Sequence, residues 1–84
     1  MKTRKQEYGH ANMVGKTIER LRKSQGYTQK LFVAKMQVLG CDINPTSFSK
    51  LEGQLRSATD KELLVAARIL NVAMEDLFED AELK

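Results

Sequence analysis

At 84 residues and with 42% hydrophobic side chains, the chain holds enough apolar material for one small core and leaves no room for a second domain or a deep catalytic cleft. One cysteine, Cys41, excludes an internal disulfide, and one histidine, His10, leaves no ligand set for a closed zinc site, so neither metal nor cofactor is expected. The net charge of +3 is uneven: residues 1–30 carry eight cations against two anions, and residues 57–84 carry three against seven. That asymmetry predicts a basic end that docks on phosphates and an acidic end held away, although two solvated helix faces would give the same pattern.

Residues 1–11, MKTRKQEYGHA, are polar and aperiodic. They read as a flexible basic arm whose Lys2, Arg4 and Lys5 can reach DNA phosphates or a minor groove, or simply as a disordered tail; Tyr8 is a candidate pin at its root. A first helix is predicted from the cap Asn12 to about Gln25, stopped by Gly26. Val14, Ile18 and Leu21 form its apolar stripe at i, i+4 and i+7; Arg20 and Lys23 lie off it in solvent, and Arg22 borders it as a candidate for a partly buried pair.

Thr28 caps a second helix with Phe32, Val33 and Met36 inward and Leu39 extending that face. Gln29 and Lys30 stand in its first turn, where amides attract a phosphate and the glutamine side chain is free to reach it or a base. An exposed first-turn glutamine with no partner is the plainer reading. The connection from Gly40 to Ile43 places Cys41 as a small hydrophobe and Ile43 as an apolar plug.

A third helix starts with Asn44 as cap and Pro45 at the first helical position, where a missing amide costs nothing. Thr46, Ser47, Ser49 and Lys50 then face outward, while Phe48 and Leu51 point inward. Hydroxyls and a cation on an apolar footing suit the major groove, where base edges offer donors, acceptors and methyls. Arg56 follows in a loop. Thr59 and Glu62 form a capping box for a fourth helix with Leu63, Leu64, Ala67 and Leu70 inward, ending at Asn71. A fifth helix is expected from Met74 to Asp80 on Leu77 and Phe78, and residues 81–84 read as an acidic tail. The domain proper is thus 12–80 and all-α.

In order, Leu21-Arg22, Gly26-Tyr27-Thr28-Gln29, Thr46 to Glu52, Arg56, Leu63-Leu64 through Ala67, Leu70 and Val72, and Glu75-Asp76-Leu77-Phe78 resemble the lambda-repressor-like helix-turn-helix domains of the Cro or xenobiotic-response-element type. The resemblance runs from Val14 to Phe78 and implies a compact five-helix bundle whose second and third helices read DNA. It further implies that Gln29 contacts phosphate or a base, that Pro45, Thr46, Ser47, Ser49 and Lys50 are recognition positions, and that Arg56 touches the DNA backbone. Arg22 and Glu52 match a structural ion pair. The chain departs from the family at Val33, where a small residue is usual, and in a longer link that includes QVLGCD.

The expected function is a sequence-specific transcriptional regulator, most simply a repressor, that binds a pseudo-palindromic operator in double-stranded DNA as a homodimer. Val72, Met74, Leu77, Phe78 and Leu83 are the expected dimer contact. The alternative is a protein-interaction module, such as an antitoxin or coactivator-like domain, for which DNA is secondary. No enzyme motif is present: the glycines are scattered singly and no nucleophile elbow occurs. No apolar run reaches the roughly 18 residues of a membrane span, so a cytoplasmic location without membrane or small-molecule partners is expected.

Overall fold

The structure, a computed structural model, describes residues 7–81. Four α-helices follow one another: α1 (Gly15–Ser24), α2 (Gln29–Val38), α3 (Pro45–Glu52) and α4 (Asp60–Leu70). A single 3-10 segment, Met74–Phe78, follows them, and no strand occurs among the described residues. The described residues are therefore all-α, with four α-helices rather than the five helices expected.

The last segment corrects the expected fifth helix. Its backbone closes through i to i+3 bonds, Asp76 N–H to the Ala73 carbonyl at 3.0 Å and Glu79 N–H to that of Asp76 at 3.3 Å. At three residues per turn only every third side chain shares a face. Leu77 is accordingly sealed in the core, whereas Phe78 is turned outward and 41% exposed.

Each helix ends by the same device. An amide just beyond the helix reaches back over the last turn: Tyr27 to Arg22, Cys41 to Met36, Leu55 to Lys50 and Val72 to Ala67, all at 2.9–3.0 Å. The residue between must be left-handed. Gly26 and Gly40 adopt it at φ of 80° and 89°, while Gln54 and Asn71 hold it at 59° and 58° despite their side chains. This closure resolves the long link. Gln37 and Val38 complete α2, Leu39 and Gly40 turn the chain, and Cys41 and Ile43 drop into the core, with the Gln37 side-chain amide donating to the Ile43 carbonyl at 2.8 Å. Leu39, expected to extend the inner face, sits at the turn and is exposed instead.

Phe32 and Phe48 stack at 5.2 Å between ring centres, joining α2 to α3, and Tyr27 meets Phe32 edge-on at 5.9 Å. Val33, the unusual bulky residue, is buried beside them. Ile18 and Val14 enter from α1, Val65, Ala66, Ala67 and Leu70 from α4. Leu64, expected inward, is exposed because Glu62 is held inward, and two residues along a helix lie on nearly opposite sides. Gly15 marks a close crossing: a Cβ there would stand 2.2 Å from the Leu51 carbonyl oxygen, so α1 meets α3 backbone to backbone.

The expected loose arm of residues 1–11 is tied down from Tyr8 onward. The Tyr8 hydroxyl donates to the Glu19 carboxylate, Gly9 N–H to the Gly53 carbonyl at 2.8 Å, and Ala11 N–H to that of Gln54 at 3.0 Å. Asn12 does more than cap. Its Oδ1 accepts from Val14 and Gly15 N–H, while its Nδ2 donates to the carbonyls of Leu51 and Arg56 at 3.0 and 2.8 Å, so it fastens α1 to the end of α3 and the helix begins at Gly15. Lys2, Arg4 and Lys5, and Leu83 of the tail, lie outside the described residues. No helix among the described residues is long and apolar enough to cross a membrane.

Candidate nucleic-acid interface

The short helix α3 has two unlike faces. Its start is defined locally: the Asn44 side chain accepts from Ser47 N–H at 2.8 Å, and Pro45 occupies the first helical position. Phe48, Leu51 and Glu52 are fully buried on one side. On the other, Thr46, Ser49 and Lys50 are exposed, and their side chains make no hydrogen bond or ion pair with the described residues. Asn44 and Pro45 flank that surface, whereas Ser47 is half-buried at its edge.

What holds this helix in place is a saturated carboxylate. Glu52 accepts Nε of Arg22 on one oxygen at 2.6 Å and Nη2 on the other at 3.0 Å, and the Gln29 amide donates to that second oxygen at 2.7 Å. Arg22 Nη1 donates to the Tyr27 carbonyl at 2.8 Å. One buried fork thus joins α1, the α1–α2 turn, the first turn of α2 and the end of α3. Gln29 therefore has an internal partner as well: its amide nitrogen donates to Glu52 and helps to position that carboxylate. Lys30 beside it is exposed and makes no ion pair with the described residues.

Arg56 is likewise engaged within the fold. Expected to touch a DNA backbone, it is held by four internal hydrogen bonds: Nε to the Ser47 carbonyl at 3.1 Å, Nη1 to the Ser57 carbonyl at 2.8 Å and Glu62 Oε1 at 2.9 Å, and Nη2 to Glu62 Oε2 at 2.8 Å. It ties α3 to α4. Burial alone would raise the Glu62 carboxyl, but the Arg56 fork and the Thr59 cap hold it below the ordinary glutamate range. Glu62 was legible as a capping residue, and the capping box is present; nothing local to the sequence marks its second partner.

The basic and acidic ends of the sequence do not stay apart in space. Arg20, expected in solvent, bridges Glu79 at 2.9 Å and Asp80 at 2.8 Å, and Asp80 N–H donates to the buried Thr17 hydroxyl at 2.9 Å. The acidic turn therefore lies along α1. Within the expected dimer contact, Leu77 belongs to the core and Val72 is half-buried, leaving Met74 and Phe78 exposed. Burial pushes the Cys41 thiol up, as befits a small core side chain. Among the described residues no group of three or more His, Cys, Asp or Glu could hold a metal ion. No family model, curated protein or solved structure matches this chain.

Proposed function

We propose that the chain is a sequence-specific DNA-binding regulator in which α2 and α3 act as a helix-turn-helix of the lambda-repressor-like type. The observation that carries this reading is the outer face of α3: two hydroxyls and an ammonium, without partners among the described residues and adjacent at helical spacing, on a helix whose inner face is fixed by Phe48 and the Arg22–Glu52 fork. Such a surface is pre-organised for base edges, because the cost of ordering it has been met by the fold.

In this reading Thr46 and Ser49 exchange hydrogen bonds with base edges, and Lys50 donates to a guanine or a phosphate. Lys30 and the free amides at the start of α2 hold a phosphate, with Asn44, Pro45 and Ser47 fitting the groove wall. Gln29, Arg22 and Arg56 act indirectly, by orienting α3. One helix of this length reads few bases, so two copies would occupy half-sites ~34–36 Å apart, and occlusion of a promoter would make the protein a repressor.

The test is selection of bound duplexes from a random pool at near-physiological salt, with Lys50→Ala in parallel. An inverted repeat that loses definition in the mutant is the expected result. Retention that tracks salt alone, without a motif, would overturn the reading.

A further inference from the structure

The helix α2 has two apolar faces. Phe32, Val33 and Met36 enter the core, yet Leu31, Ala34 and Val38 recur at i, i+3 and i+7 on the opposite side, all exposed and Val38 84% so. A helix with apolar residues on both sides ordinarily has something packed on each. Here the outer stripe has only a partial wall. Together with Tyr27, and Ile69 from α4, it lines an open groove of about 420 Å³. Gln29, which touches α3, and Val38 lie on opposed sides of α2, so this groove is a surface distinct from the outer face of α3.

The groove has one charge. Lys35 stands in its lining with Nζ 5.6 Å from the centre of the Tyr27 ring, and no carboxylate of the described residues lies within ion-pair distance of it. No acidic residue occurs anywhere in α2 or in the groove lining. A second copy packed through this same face would bring no carboxylate to Lys35. A helix carrying an apolar stripe flanked by carboxylates would instead cover Leu31, Ala34 and Val38 and pair with the held ammonium.

We infer that the groove between α2 and α4 docks an acidic amphipathic helix of another protein, with apolar residues at i, i+3 or i+4 and i+7 against Leu31, Ala34 and Val38 and a Glu or Asp against Lys35. Binding there is independent of whether α3 reads DNA. It gives the chain a means of carrying, or being governed by, a protein partner.

The probe is a displayed library of helix-forming peptides, about four turns long, that includes both signs of charge, selected on the full chain and on Lys35→Glu and Val38→Asp. Circular dichroism melts check that each variant is folded; both positions are exposed, so Tm should hold. The wild type should enrich peptides with an apolar stripe and net negative charge. Lys35→Glu should reverse the preference toward basic peptides and weaken the best acidic one by about tenfold or more, and Val38→Asp should retain neither. Enrichment without a stripe, no enrichment at all, or an acidic preference unchanged in Lys35→Glu would each overturn the assignment. Sedimentation of the chain alone supplies the remaining outcome: a dimer that Val38→Asp dissociates would give the groove to a second copy.

Discussion

Arg20 and Arg22 stand two residues apart on α1, and each engages carboxylates through Nε and Nη2 at 2.6–3.0 Å. Distance does not distinguish them; surroundings do. The Arg20 side chain is 45% exposed and divides its donors between Glu79 and Asp80, themselves 65% and 26% exposed. Arg22 and Glu52 are 7% and 0% exposed, and Gln29 and the Tyr27 carbonyl add a further donor and acceptor to the fork. In water a carboxylate that loses its arginine is rehydrated. In the core it is left charged with nothing to replace the partner, so the same geometry has very different consequences at the two sites.

The sharpest way to break the comparison is Arg22→Ala. It strands the Glu52 carboxylate, and urea unfolding should show a loss of about 3–5 kcal/mol, with any DNA affinity falling because α3 loses its anchor. A mutant that keeps wild-type stability would mean that the buried fork is not what orients the helix.

Arg56→Ala tests the intermediate case, since Arg56 is 24% exposed and Glu62 11%. A loss of about 1–2 kcal/mol is expected at neutral pH, discounted for partial hydration. This site also has a pH signature. Glu62 titrates lower in the fold than in the unfolded chain, where the ordinary value is about 4.3. Its contribution is therefore present above that value and is lost as pH falls through the folded one. Glu62→Gln should flatten the stability-against-pH curve below about pH 4.3, and an unchanged acid limb would show that other carboxylates dominate it.

The smallest effect belongs to Arg20→Ala, expected to cost less than about 0.5 kcal/mol and to respond to salt. A larger loss in a thermal melt would show that the C-terminal turn depends on this bridge rather than on Leu77 and the Thr17 hydroxyl.

Much of the frame was legible because it is written in short-range chemistry. Thr28, Asn44 and the Thr59–Glu62 box each satisfy amides within three residues, and Gly26 and Asn71 close helices by adopting a backbone conformation that few residues tolerate. The site was half legible. The outer positions of α3 follow from helical periodicity, whereas the internal partners of Gln29 and Arg56, 23 and 6 residues away, are ones that no spacing rule indicates.

The misread apolar residues have the same origin. Periodicity gives the relative angles of side chains about a helix, not the rotation of that helix against its neighbours; the Arg56–Glu62 tie turns α4 so that Leu64 faces out. The 3-10 winding of the last segment, at three residues per turn, does the same to Phe78. What the sequence determined by itself was the order of the four α-helices and the N-terminal caps of α2, α3 and α4, because those depend on hydrogen bonds and angles spanning a few residues. Only the tertiary structure decided which charges are locked inside, which of the cations remain free, and that α2 keeps a second apolar face uncovered, because each depends on which distant residues arrive at the same place.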